Sequence, residues 1–278
     1  MISQETRVLL SLFLVMSLFG LTDDSCAERL RIIAWNVESG GASGQATAMV
    51  IGSTTGCDIW ALSEVKSKKW AHLFREAAAY AEGASFEQIL GTTGGGDRLL
   101  ILYNSDRLEK EKHFELKEMM VGQQIRAPLV AQFQVKPNGR RFLFMVNHLC
   151  SCRKKPSVRR QQARLLNEWA QGQTLPIIAA GDFNFQWDLQ RGHFSHDTGY
   201  DNLTAEGVFQ WIRPEPLLAT HCNRQYNTVL DYIFVSGPAK DWEAEAKTLL
   251  TYPSYCPDDK VKSNHRPVSA DIEVPDAD

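Results

Sequence analysis

Eight short apolar runs are spaced along this chain, and several follow one another with no helical pattern between them. They are Leu30–Val37, Asp58–Leu62, Arg98–Tyr103, Leu129–Val135, Arg141–Asn147, Pro176–Ala180, Val229–Val235 and Val268–Ile272. Each is rich in β-branched or aromatic residues and is bounded by Gly, Pro, Asn or charged residues, as strands are. Helical patterns are confined to Gln45–Ser53, Ser67–Ala81 and Ser157–Gln171. In the last, Ser157 is placed as an N-cap, and Val158, Leu165, Leu166 and Trp169 recur at helical spacing. From Arg98 to Asn147 strand succeeds strand directly, so a strict βα alternation is absent. That argues against a Rossmann fold or a TIM barrel and for two mixed β-sheets packed together with helices outside.

The N-terminus reads as an export signal. Residues 8–21 form an apolar run preceded by Arg7, too short to span a bilayer, which needs about 20 residues. Ser25-Cys26-Ala27 then offers small residues for cleavage after Ala27. An uncleaved anchor is the alternative, since Glu5 cancels Arg7; a lipid anchor on Cys26 fits less well, because Asp23 and Asp24 precede it. Removing residues 1–27 from the 278 leaves 251, a length that suits one large domain over 28–278. It also moves the formal charge from −3 to −1, which excludes a globally basic nucleic-acid binder but not a local basic site. Cys57, Cys150, Cys152, Cys222 and Cys256 remain, so an oxidising compartment allows one or two disulfides with a thiol left over. The expected location is secreted or periplasmic, with no stable membrane insertion after cleavage, and the expected state is a monomer.

Several apolar runs end in a carboxylate, an amide or an imidazole: Asn36, Glu64, Asn147-His148, Asp182 with Asn184, Asp231, and Asn264-His265. Active sites are built this way, with rigid strands presenting polar side chains at one rim. There is no nucleophile elbow and no His-Glu-x-x-His. Oxygen donors dominate, which favours Mg²⁺, Mn²⁺ or Ca²⁺ over zinc.

These segments resemble the endonuclease/exonuclease/phosphatase superfamily with the DNase I-like fold. The matching pieces are AWNV at 34–37, LSEV at 62–65, NHL at 147–149, GDFN at 181–184, LDYIFV at 230–235 and SNHRPV at 263–268, in the family's order. Each is weak alone; together they span residues 31–272. The resemblance implies a four-layer α/β sandwich and metal-dependent cleavage of phosphate esters. It further implies Glu64 as the principal metal ligand with Asn36 beside it. Asp182 and Asn184 would position the attacking water and a phosphate oxygen, with His148 and His265 flanking the phosphate. Asp231 would orient His265, and Asp97 would stand behind His148. Asn264 departs from the family's usual Asp at that place; it keeps an oxygen ligand but loses a charge near the metal.

After His148, residues 153–164 carry Arg153, Lys154, Lys155, Arg159, Arg160 and Arg164 with no acid among them. Beside a catalytic histidine these cations suit a polyanionic backbone, and Arg126 is a further candidate phosphate contact. A solvated helix face is the bland alternative. The expected function is an exported endonuclease acting on nucleic acid, DNA ahead of RNA. A secreted sphingomyelin or small-phosphoester hydrolase is the runner-up. A catalytically inactive phosphate- or nucleic-acid-binding module is the reading of a different class, supported by Asn264.

Overall fold

A computed structural model describes residues 27–38, 40–121, 126–151, 156–194, 199–222, 227–250 and 261–277. The apolar run at 8–21 and the rest of the export signal up to Cys26, together with Arg153, Lys154, Lys155, Cys152 and Cys256, therefore lie outside the described residues. No helix among the described residues is long and apolar enough to cross a membrane.

Among the described residues, thirteen strands and four α-helices run in the order β1 (Glu28–Asn36), α1 (Gly44–Gly52), β2 (Ile59–Val65), α2 (Lys68–Glu82), β3 (Phe86–Leu90), β4 (Arg98–Asn104), β5 (Leu108–Glu115), β6 (Leu129–Val135), β7 (Arg141–His148), α3 (Pro156–Gln171), β8 (Ile177–Asp188), β9 (His193–Phe194), α4 (Tyr200–Thr204), β10 (Phe209–Trp211), β11 (Thr228–Ser236), β12 (Ala244–Thr248) and β13 (Val268–Val274). One sheet is ordered β12-β13-β1-β2-β4-β3 and the other β10-β11-β8-β7-β6-β5, with β9 paired to β8. Both are mixed: β1–β2 and β7–β8 are parallel and the remaining pairs antiparallel.

The side-chain period of two sorts each strand into two faces. On β1, Leu30, Ile32 and Ala34 join the cluster between the sheets, while Ile33 and Trp35 face outward against Ala71, Phe74 and Ala78 of α2. On β7, Phe142, Phe144 and Val146 face the other sheet, while Leu143 and Met145 pack against Ala163 and Leu166 of α3. The result is helix, sheet, sheet, helix: the four-layer sandwich of packed mixed sheets.

All eight expected strands lie in the interiors of the two sheets. The ones not foreseen are the four edges, β3, β5, β10 and β12, and the two-residue β9. The edge strand β5, LEKEKHFE, buries little beyond Leu108, so it lacks the apolar run that marks an interior strand. The second correction concerns β8, which does not stop at Ala180 but continues to Asp188 through GDFN. Its ladder with β11 is interrupted between Val229 and Asp231, and Asn184 there takes φ 56, so the turn-like residues form a bulge. A third correction falls on α3. Ser157 is inside the helix, which begins at Pro156, where proline's fixed φ suits the first turn.

Candidate active site

The inward-facing rows of the sandwich core end in polar residues at one rim. Two positions beyond Ala34, Val146 and Ala180, the alternation brings Asn36, His148 and Asp182 to the same face, and Asp231 stands two before Ile233. Pairing aligns them laterally: His148 is opposite Asp182, and Asp231 is opposite Asp182 from the other side. The site is thus the polar end of the core between the sheets. Glu64 reaches it from a bulge in β2, between Leu62 and Val65, at φ 60. Glu64 and Asn184 both occupy the sparsely populated left-handed region, the kind of backbone strain that accumulates where side chains must be aimed.

Asn36 Nδ2 donates to Glu64 Oε1 (2.9 Å) and to Asp182 Oδ2 (3.0 Å), clamping two carboxylates together. Its Oδ1 accepts the Glu38 N–H. His265 Nδ1–H donates to Asp231 Oδ2 at 2.7 Å, and its Nε2 lies 3.9 Å from Asp182 Oδ2. From the opposite side, His148 Nε2 lies 3.5 Å from the same oxygen and 3.9 Å from Glu64 Oε1. Arg126 Nη1 donates to His148 Nδ1 at 2.7 Å. Asn184 Nδ2 donates to the Leu149 carbonyl and its N–H to Asp182 Oδ1, so Asn184 braces both neighbours.

The two histidines are driven to opposite protonation states. Burial, the Arg126 guanidinium and His265 together push the His148 pKa well below its usual range, leaving it neutral. Since Nδ1 accepts from Arg126, the proton of this neutral ring sits on Nε2, pointing at the site. Burial also opposes charge on His265, but Asp231, Asp182 and Glu64 outweigh it and raise its pKa to about 9. Asp182, buried and close to Asp231, is lifted to about 7, against the pull of His265 and the Asn36 hydrogen bond. Groups whose environments drive their pKa values apart are those that divide proton donation and acceptance. The pH dependence of kcat/KM is expected to be bell-shaped. The rate rises as Asp182 loses its proton, near pH 7 or lower once a cation favours the carboxylate, and falls as His265 deprotonates towards about 9. Asp231→Asn should move the alkaline limb to lower pH and cut kcat by about 10²-fold or more; an unmoved limb contradicts the pairing.

The donor set suits an oxygen-seeking divalent cation. Glu64, Asp182, Asp231 and the amides of Asn36, Asn184 and Asn264 are all oxygen-bearing, and Asp231 Oδ1 and Asn264 Oδ1 are buried with no hydrogen-bond partner among the described residues. Asp182, Asp231 and His265 present ligand atoms within 4.8 Å of one another. Two of that trio already bond each other, so the Glu64–Asp182 pair is the better cradle for a metal. Asn36 points its nitrogen into that pair, and ligation through Oδ1 requires its amide to turn over.

The structure separates the other candidates. Arg126 is at the site. At His148 Nδ1, where Asp97 was expected to stand, the structure places the Arg126 guanidinium, and Asp97 is near it through its backbone: a Cβ on Gly94, at φ +89, would stand 2.7 Å from the Asp97 carbonyl oxygen and 3.0 Å from the Arg126 Cβ. Arg159 is a correction. It is 2% exposed and donates to the Cys150 carbonyl at 3.0 Å, while Gln162 accepts the Cys150 N–H. Arg159 therefore ties α3 to the segment after His148 instead of facing a polyanion. Arg160 remains exposed on α3, and Arg164 pairs with Glu168. Cys150 and Cys222 each take part in a disulfide, and Cys57 is free and buried. Glu38 was not foreseen: its Oε2 accepts the Asn264 N–H at 2.6 Å. Its place two residues after Asn36 was the available signal, although the chain turns there, with Glu38 at φ 49, and does not continue extended. His221, whose ring packs edge-on against His265 with centroids 5.3 Å apart, carried no such signal.

Residues 33–249 match the model of the endonuclease/exonuclease/phosphatase family, and the chain belongs to that family. An endonuclease/exonuclease/phosphatase family protein from Bacteroides thetaiotaomicron superposes with a TM-score of 0.66 at 20% identity, covering 89% of this chain and 98% of that one. D. rerio TDP2 complexed with a single-strand DNA product gives 0.67 at 16% identity, covering 89% and 100%. A mannosyl-6-phosphatase from B. thetaiotaomicron gives 0.62 at 22% identity, covering 87% and 99%. At these identities the likeness is one of fold. No curated protein matches the chain by sequence.

Proposed function

We propose that this protein is a metal-dependent phosphodiesterase acting on DNA outside the cytoplasm. One observation carries the reading: a neutral His148 backed by Arg126 and a protonated His265 backed by Asp231 face the same Asp182 carboxylate, at 3.5 and 3.9 Å. A phosphodiester is an anion attacked by water, so a site must neutralise charge, orient the phosphate and move a proton. A divalent cation held by Glu64 and Asp182, with the amides of Asn36 and Asn264, would supply charge neutralisation at the phosphate oxygens; Mg²⁺ is the ion inferred, with Mn²⁺ or Ca²⁺ as substitutes. Asp182 takes the proton of the attacking water. His148 Nε2–H and Arg126 hold the phosphate oxygens. His265, kept charged by Asp231, stabilises the developing negative charge.

Export is supported by the apolar run at 8–21 and by the disulfide-bonded state of Cys150 and Cys222, which belongs to oxidising compartments. DNA is supported by the single-strand DNA product bound to D. rerio TDP2, a protein of the same fold. A small phosphomonoester is the second reading, favoured by the burial of Arg159 and the pairing of Arg164, which thin the basic face, and by the similar fold of the mannosyl-6-phosphatase. A panel of plasmid DNA, RNA, sphingomyelin, inositol phosphates and a sugar 6-phosphate, each with Mg²⁺, separates these. Fastest turnover on plasmid DNA is expected. Fastest turnover on the sugar phosphate selects the second reading, and none at all from folded protein leaves the binding module.

A further inference from the structure

We propose that Thr93 and Glu115 are positioning residues for Arg126, a staple between the two sheets that fixes the guanidinium at His148. The inference rests on Arg126 acting at the phosphate, as above. Glu115 is the last residue of the edge strand β5, and its carboxylate gathers four donors from one turn. Oε1 accepts the Thr92 N–H (2.8 Å), the Thr93 N–H (3.0 Å) and the Thr93 hydroxyl (2.9 Å), and Oε2 accepts the Thr92 hydroxyl. The Thr93 hydroxyl, while donating to Glu115, accepts the N–H of Ala127 at 3.0 Å. Ala127 follows Arg126 directly, so this bond holds the backbone that carries the guanidinium.

The turn also touches the side chain itself. Gly94, next after Thr93, has φ +89, and a Cβ there would come within 3.0 Å of the Arg126 Cβ. Thr92 to Gly94 leave β3 in one sheet, while Glu115 and Arg126 flank the β5–β6 connection in the other. Among the described residues, the hydrogen bonds of the Glu115 carboxylate all go to Thr92 and Thr93. Its role is thus to set the turn, and the turn sets Arg126. Such a brace matters because a displacement of about 1 Å at a catalytic group can cost up to about 10²-fold in rate.

Thr93→Val keeps the shape, removes the hydroxyl and leaves the Ala127 N–H without its acceptor. With bis(4-nitrophenyl) phosphate and Mg²⁺, kcat/KM should fall about tenfold, and Thr93→Ser should restore it. In an Arg126→Ala background Thr93→Val should add nothing, because the two act as one unit. In the free protein, exchange of the Arg126 side-chain Nε–H, followed in ¹⁵N-arginine-labelled chain, should quicken in Thr93→Val and not in Thr93→Ser. Exchange unchanged by Thr93→Val, an equal loss of activity in both backgrounds, or a loss that Thr93→Ser fails to rescue overturns the proposal. Quickened exchange in a protein that cleaves no phosphoester supports the staple and removes the catalytic reading instead.

Discussion

Asp182→Asn is expected to lower kcat by about 10²–10⁴-fold and to raise the thermal midpoint of the metal-free protein at pH 8. The substitution is isosteric and leaves the β7–β8–β11 ladder intact, so the loss reports chemistry and not folding. The gain in stability follows from the sign of the pKa shift. The folded-state pKa of Asp182 is about 7, above its usual value of 3.8, because burial and Asp231 oppose its charge. Relative to the unfolded chain, that opposition is absent below about pH 3.8, grows as pH rises, and is complete above about 7. Removing the charge should therefore stabilise most at pH 8 and least near pH 4. Active sites commonly trade stability for function in this way. Steady-state kinetics with saturating Mg²⁺ and melting curves in EDTA check both halves. A variant that keeps wild-type kcat would remove Asp182 from the chemistry.

Gly181→Ala is expected to destabilise the fold by about 4 kcal/mol or more. Gly181 has φ +134, and a Cβ there would stand 2.1 Å from the Asn147 carbonyl oxygen, with Asn147 C and N at 3.1 Å. These are backbone atoms of the paired strand β7 and cannot swing aside as a side-chain tip could. The only relief is to separate β7 from β8 where His148 faces Asp182. Gly192→Ala is the control: it too has positive φ, but nothing lies within 4 Å of its added methyl, so only backbone strain of about 1–2 kcal/mol applies. Urea unfolding compares the two. Equal midpoints would mean that the close approach at Gly181 costs nothing.

The interior strands and the polar rim of the candidate site were legible because both are consequences of one pattern. A strand buried on both faces reads as a continuous apolar run, and a polar residue ending such a run has few reasons to be there besides chemistry. Asn36 and His148 end β1 and β7 in this way, Asp182 follows the Ile177–Ala180 run, and Asp231 is a carboxylate set within a buried run. The edge strands were not legible, since β5 exposes most of its side chains and carries charge where an interior strand carries Val or Phe. Arg159 misled for a related physical reason. In the sequence it is one cation among six, and only the fold supplies the backbone carbonyl of Cys150 that makes its burial tolerable. The buried face of α3 is accordingly Arg159, Gln162, Ala163, Leu166, Asn167 and Ala170; of the stripe that apolar spacing suggests, Leu166 belongs to it and Leu165 and Trp169 pack partly buried against the same cluster. The Thr93–Glu115 brace was invisible too, because it joins residues of two sheets through hydroxyl and backbone groups that leave no periodic mark.

The central claim is that Glu64, Asp182 and their neighbours hydrolyse a phosphodiester with the help of a divalent cation. It is tested most directly by the rate of plasmid cleavage by the purified protein before EDTA, in EDTA, and after Mg²⁺ is restored. Cleavage that is lost in EDTA and recovered with Mg²⁺, in the wild type but not in Asp182→Asn, is the predicted result. Cleavage that persists in EDTA, or that Asp182→Asn retains, would contradict it.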